Sequence, residues 1–268
     1  MTEASAAERP VTLVFLHHFG GSARSWDGVV GRLRAECDCV APDLRGFGAA
    51  SEMAGPYPVA RYADDVANLV ERLDLGSYVL VGHSMGGKIA LAFAARRPAG
   101  LASLVLLAPS PPSPEPMSEA DRAAALAGHG DREVAVATIA KCTARPLPRD
   151  LVTRTADDML RSSRAAWAAW LEHGSREDLS ADIDGLTLPT LVVSGVEDRI
   201  IPPHLQRAKT LPRLTDGYLI TVTRTGHLLP LEAEEAVTDL IRNVCLDRSK
   251  RHGNGLYSPS DRDDEKGS

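Results

Sequence analysis

The sequence predicts an α/β fold in which a parallel sheet is covered by helices on both faces. Short, β-branched runs recur along the 268 residues and are nearly continuous in apolar residues, as strands buried on both faces require. Amphipathic segments of helical period separate them, and this alternation specifies helices packed against a parallel sheet. One long alanine-rich stretch breaks the rhythm and marks an insertion between two strands.

In chain order, VTLVFLH (11–17) reads as the first strand, and the glycine-rich loop of LHHFGGSARSW (16–26) follows it. CDCVAPD (37–43) is the second strand. Segment 59–75 places Val59, Tyr62, Val66, Leu69, Val70 and Leu73 on one helical face. SYVLVGH (77–83) is the third strand, followed by a helix over GKIALAFAARR (87–97), and LASLVLLA (101–108) is the fourth. PSPPSPEP (109–116) continues neither helix nor central strand and reads as a proline-rich hinge. From Met117 to Ser180 the pattern is helical. Strands return at PTLVVSG (189–195) and GYLITVT (217–223), and 232–247 reads as a closing helix. Residues 1–108 and 188–247 thus form a core domain, 109–187 a helical insertion, and the polar 248–268 a disordered tail without assigned function.

Composition narrows the function. With 44% hydrophobic and 25% charged residues the chain can bury a substantial core, and a net charge of −6 argues against nucleic acid or an anionic membrane as partner. No run approaches a membrane span, and the polar N-terminus lacks the basic and apolar regions of a secretory signal. Cys37, Cys39, Cys142 and Cys245 show neither C-x-x-C spacing nor matching histidines, so no metal site is expected. No G-x-G-x-x-G follows the first strand, which excludes the usual dinucleotide fingerprint. A cytoplasmic protein without a cofactor, acting on a small molecule, is the expectation. The oligomeric state stays open, a homodimer included.

The chemistry concentrates at Gly82-His83-Ser84-Met85-Gly86, a G-x-S-x-G placed where a buried strand gives way to a helix. So tight a reversal strains the serine backbone and projects its hydroxyl above the carboxyl edge of the sheet. A hydroxyl needs a base, and the base needs an orienting acid. VVSGVEDRIIPP (192–203) offers Asp198 beyond a strand end, preferred to its neighbour Glu197, and TVTRTGHLLPLEAEEAV (221–237) offers His227. Oxyanion donors are expected from the backbone N–H groups of Met85 and Phe19. Trp167 and Trp170, an i,i+3 pair, either line a pocket or glue the insertion to the core. At least one of Met85, Leu228 and Leu229 should wall that pocket. His17 and His83 read as braces, Asp43 and Arg45 as a loop-fixing ion pair, and His129 is too isolated to interpret.

Together LHHFGG, DLRGFGAAS (43–51), GHSMGG (82–87), SGVEDRIIPP and GHLLPLE resemble the α/β-hydrolase superfamily, in its capped esterase-like and epoxide-hydrolase-like branch, over residues 11–246. The resemblance implies an eight-stranded, mostly parallel sheet, a helical cap inserted after the sixth strand, and a Ser84-Asp198-His227 triad at the cap–core junction. It also implies acyl-enzyme chemistry on an ester of a small or medium hydrophobic substrate. Lactone hydrolysis, C–C bond hydrolysis, cofactor-free perhydrolysis and a receptor that retains the triad are the alternatives. Such proteins usually carry His-Gly where this chain has His17-His18. His18 is therefore expected to narrow the oxyanion loop or touch substrate, with Trp167, Trp170 and Leu228 as further substrate contacts.

Overall fold

The computed structural model describes residues 11–245. The first residues of the expected core, its last two and the tail at 248–268 lie outside them. The described residues form one parallel sheet of β1 (Thr12–Leu16), β2 (Cys39–Val40), β3 (Tyr78–His83), β4 (Leu101–Leu107), β5 (Thr190–Gly195) and β6 (Gly217–Val222). The spatial order is β2-β1-β3-β4-β5-β6, with every neighbouring pair parallel.

Among the described residues six strands stand where the resemblance implied eight. The chain carries six suitable apolar runs, each makes one strand, and the described segments between them are held in helices and loops. The helical insertion accordingly follows β4 rather than a sixth strand. The expected run at 37–43 contributes only two residues, Cys39 and Val40, at the sheet edge. Pro42, which lacks an N–H, could not extend the ladder.

The two-residue period of the strands builds two cores. Val14, Leu16, Leu80, Leu104, Leu106 and Val192 face one way, while Leu13, Phe15, Val79, Val81, Val105 and Val193 face the other. The first set is covered by α2 (Val59–Arg72) and α3 (Met85–Ala95), through Tyr62, Val66 and Ile89. The second is covered by α1 (Asp27–Leu33) and the C-terminal helix Glu234–Cys245, through Val29, Leu33, Val237 and Ile241.

The insertion contains α4 (Glu119–Ala127), α5 (Arg132–Cys142), α6 (Arg149–Arg161), α7 (Arg164–Glu172) and α8 (Ser180–Ile183). Local capping explains several starts: Ser118 accepts the Asp121 N–H, Asp131 those of Glu133 and Val134, and Ser163 that of Ala166. Its first stretch, 109–116, breaks regular structure as expected but is a pinned strap rather than a hinge. The Pro109 carbonyl accepts from Gln206 Nε2 (2.7 Å), Ser110 N–H donates to the Ser84 carbonyl (3.0 Å), and the Pro112 carbonyl accepts from Leu179 N–H (2.8 Å). Proline removes internal donors, so the remaining polar groups bond outward to neighbours that fix them. No helix among the described residues is long and apolar enough to cross a membrane.

Candidate active site

After β1 the chain moves to one side of the sheet, to β2; after β3 it moves to the other, to β4. The connections therefore diverge at the carboxyl ends of adjacent β1 and β3, where a crevice opens in folds of this type. The loop after His17 and the turn at Ser84 share that crevice.

Ser84 sits at φ 52°, ψ −114°, a strained conformation for a side-chain-bearing residue. It survives because its surroundings hold it: Ser84 N–H donates to the Leu107 carbonyl (2.9 Å), and its own carbonyl accepts from Gly87 and Ser110 N–H (2.8 and 3.0 Å). The flanking glycines are required by packing. A Cβ at Gly82 would lie 2.6 Å from the Gly86 carbonyl oxygen, and one at Gly86 would lie 2.3 Å from that of Leu16.

The Ser84 hydroxyl is 2.9 Å from His227 Nε2, and His227 Nδ1 is 2.8 Å from Asp198 Oδ2. Asp198 is fixed from behind, its Oδ1 accepting the N–H groups of Ile200 (2.8 Å) and Ile201 (2.9 Å). Glu197 points elsewhere and accepts the Thr225 N–H. Burial alone would lower the His227 pKa, but the Asp198 charge and hydrogen bond reverse that and hold it above 6.5. Burial would raise the Asp198 pKa, yet His227 and the two amides bring it below its usual value. Both partners thus favour an ionised carboxylate beside a basic imidazole.

The histidines around them divide by role. His83 Nε2 lies 2.7 Å from the His227 carbonyl oxygen, and burial pushes its pKa down to about 3, so it is a neutral brace. His17 Nε2 accepts the Leu44 N–H, which leaves the proton on Nδ1 for donation to the His18 carbonyl. His18, 6% exposed, packs against Gly21, and its Nδ1 has no hydrogen-bond partner. Burial, then the neighbouring histidines, hold His18 well below its ordinary pKa. Asp43 and Arg45 do not form the ion pair the sequence suggested. Asp43 accepts the Ala23 and Ala49 N–H groups, while Arg45 pairs with Asp65 across to α2, because the two side chains leave the loop in different directions. Sulfur atoms of Cys37 and Cys39 stand 3.9 Å apart, so these cysteines are not bonded to each other.

A cavity of about 290 Å³ contains Ser84 and His227 in its wall, together with Phe19, His18, Trp167, Trp170 and Leu228. Phe19 packs on Trp167 with ring centroids 4.2 Å apart, so the loop after β1 and α7 share an aromatic wall. Both tryptophans therefore line the pocket and tie the insertion to the core. Met85 is buried beneath the site and lies outside that wall. At the start of α3 its N–H has no carbonyl a turn earlier to bond, as at every helix start.

Several site residues escaped sequence reasoning. Glu232 accepts the N–H groups of Gly226 (3.0 Å), Leu228 (3.0 Å) and Ala144 (2.7 Å), clamping both neighbours of His227 and the insertion. It lies inside GHLLPLE, so its spacing from His227 was an available signal. Asp158 of α6 accepts from Ser22 Oγ (2.8 Å) and Arg24, anchoring the insertion to the loop after β1. His129 lines the cavity and bonds the Ser162 carbonyl (3.0 Å). Glu115 also reaches the cavity wall, and no local pattern announces it. Among the described residues no cluster of metal-ligating side chains occurs.

Comparison with known proteins agrees with this architecture. A family model described as "Alpha/beta hydrolase family" matches residues 13–240. An uncharacterized protein of Mycobacterium bovis is 34% identical over 95 residues, covering 35% of this chain and 28% of that protein, so this chain matches under a third of its relative's length. A non-heme chloroperoxidase of Burkholderia pyrrocinia is 27% identical, covering 87% of this chain and 91% of that one. Among solved structures, an esterase from Thermogutta terrifontis superimposes with TM-score 0.75 at 27% identity, covering 88% and 89% of the two chains. With the parallel sheet, the strained turn at Ser84 and the match over 13–240 in agreement, the chain belongs to the alpha/beta hydrolase family.

Proposed function

We propose that this chain is a serine hydrolase that cleaves carboxylic esters of small or medium, substantially hydrophobic substrates through an acyl-enzyme. The observation that carries the reading is the chain of hydrogen bonds from Ser84 through His227 to Asp198, at 2.9 and 2.8 Å, in the wall of a largely apolar cavity. His227 takes the hydroxyl proton as Ser84 attacks the ester carbonyl, then returns it to the leaving alcohol. Asp198 keeps the imidazole proton on Nδ1 and stabilises the imidazolium. The N–H groups of Phe19 and Met85 hold the oxyanion of the tetrahedral intermediate. Water activated by His227 then releases the acid. In this reading residues 109–187 are a cap over the site, with Trp167, Trp170, His18 and Leu228 shaping the acyl or alcohol pocket. The cavity volume lies at the small end of ligand sites.

The likeness to a non-heme chloroperoxidase favours one second outlet, perhydrolysis, in which hydrogen peroxide replaces water at the acyl-enzyme. The deciding experiment is hydrolysis of short p-nitrophenyl esters together with labelling by a fluorophosphonate. Wild-type protein should do both, and Ser84→Ala should do neither while keeping its circular dichroism spectrum. Absence of both turnover and labelling in the wild type overturns the proposal.

A further inference from the structure

The strap at 109–116 delivers a carboxyl group into the cavity that holds the nucleophile. Glu115 is the strap's one acidic residue and lines the same cavity as Ser84 and His227. Its position is fixed by the backbone. Beyond the bonds at Pro109, Ser110 and Pro112, the Glu115 N–H donates to the Ser175 carbonyl, and its own carbonyl accepts from Met117 N–H, both at 2.8 Å. Three prolines at 111, 112 and 114 remove most of the remaining backbone freedom.

The neighbouring cations leave the carboxyl unpaired. Lys88, fully buried, directs its ammonium to the carbonyl oxygens of Glu177 and Ser113. Arg122 directs its guanidinium to the Leu171 carbonyl and Ser175 Oγ. Both influence Glu115 through space, and neither forms an ion pair with it among the described residues. Burial raises the Glu115 pKa, while the Ser110 hydroxyl, Lys88, His227 and Arg122 act in the opposite direction. An acidic group held in a largely apolar cavity without an ion-pair partner among the described residues is suited to a cation that arrives with the substrate.

A second observation indicates the sign of that partner. The cavity wall carries three carboxylates, Glu115, Asp121 and Asp131, against one ammonium, Lys141, which pairs with Asp121 at 3.6 Å. His18, buried in the same wall, is held neutral by burial and then by the neighbouring histidines. Among the charged side chains of the wall itself, carboxylates therefore outnumber ammonium groups, which favours a cationic partner there over an anionic one.

We infer that Glu115 is a specificity-determining residue whose carboxylate receives a protonated amine on one arm of the ester substrate and rejects substrates bearing a carboxylate there. The inference rests on the serine-esterase reading and names the substrate class within it. The ammonium supplies the ion-pair partner that Glu115 lacks among the described residues, and the apolar wall surrounds the chain between amine and carbonyl.

The test compares matched esters differing only in one terminal group. On the acyl arm these are ethyl 4-(dimethylamino)butyrate, its neutral isostere ethyl 5-methylhexanoate, and monoethyl glutarate. On the alcohol arm they are the butyrate esters of 3-(dimethylamino)propanol, 4-methylpentanol and 4-hydroxybutanoate. Hydrolysis is followed by pH-stat titration. On one arm, kcat/KM of the wild type should favour the ammonium ester over its isostere by about tenfold or more, with the carboxylate ester slowest. In Glu115→Gln that ratio should fall to within about twofold, since the amide keeps the shape and loses the charge. Ratios taken within one protein cancel any general loss of activity. Glu115→Asp, which keeps the charge at shorter reach, should fall between the two and carries the test should the Gln variant misfold. If the wild type hydrolyses the neutral esters but prefers the ammonium ester on neither arm, or if Glu115→Gln leaves the ratio unchanged, the inference fails and the esterase reading stands. If the wild type hydrolyses none of the six, both fail.

Discussion

Replacing Asp198 by Asn tests the proposed mechanism at the point where geometry dictates the outcome. Asp198 is 3% exposed and uses its two oxygens differently: Oδ1 accepts two backbone N–H groups, and Oδ2 faces His227 Nδ1. An asparagine must turn its NH₂ toward one side. Facing Ile200 and Ile201 it would oppose two donors, leaving two buried N–H groups unpaired at about 1–3 kcal/mol each. Facing His227 it opposes one nitrogen, which can instead become an acceptor by moving the imidazole proton to Nε2. The second arrangement wins. His227 Nε2 then donates to Ser84 Oγ and cannot take its proton. The expected loss in kcat is about 10⁴-fold, or roughly 5 kcal/mol of transition-state stabilisation. KM should change little, because Asp198 lies behind His227 and outside the cavity wall. Initial rates on p-nitrophenyl butyrate measure both parameters. Glu197→Gln is the control: that side chain holds the Thr225 N–H, away from His227, and its kcat should stay within about tenfold of wild type. An Asp198→Asn enzyme that retains more than a tenth of wild-type kcat, or a Glu197→Gln loss exceeding it, refutes the assignment of the acid.

Three further outcomes are expected. Gly86→Ala places a Cβ 2.3 Å from the Leu16 carbonyl oxygen, and backbone of a central strand cannot yield cheaply; stability should fall by about 3 kcal/mol or more, seen as a Tm lowered by roughly 6–12 °C in a thermal melt. The His227 pKa is raised, so the base is neutral only above it: kcat/KM should climb with pH through an apparent pKa above 6.5, and His83, near 3, should add no second limb in the neutral range. A profile already flat at pH 6 contradicts this. Trp167→Ala removes the ring that packs on Phe19 at 4.2 Å and the donor to the Ala125 carbonyl, loosening the aromatic wall. It should raise KM by about tenfold and cost about 3–5 kcal/mol in stability, read by steady-state kinetics and denaturant titration.

Local physics made much of the fold legible. The six apolar runs became six strands because strands buried on both faces need continuous apolar sequence, and neighbours of a parallel sheet cannot do with less. The glycines around Ser84 signalled a close approach that the structure resolves as backbone against backbone. Asp198 and His227 could be picked out because each follows a strand at its carboxyl end, where a parallel sheet gathers its loops. The strand number of eight came from likeness rather than from residues, and it did not hold.

What the sequence by itself determined is what depends on neighbours in the chain: periodicity, caps, breaks and the strained turn. Tertiary structure alone decided what each loop meets across the sheet. It turned the expected proline hinge into a strap pinned by Gln206, Ser84 and Leu179, all distant from it in the chain, and so placed Glu115 in the wall of the cavity that Ser84 also lines. It sent Arg45 to Asp65 rather than to Asp43, and set Glu232 on the amides flanking His227. A hydrogen bond between distant segments leaves no period and no spacing in a single chain; it exists only once folding brings donor and acceptor within about 3 Å.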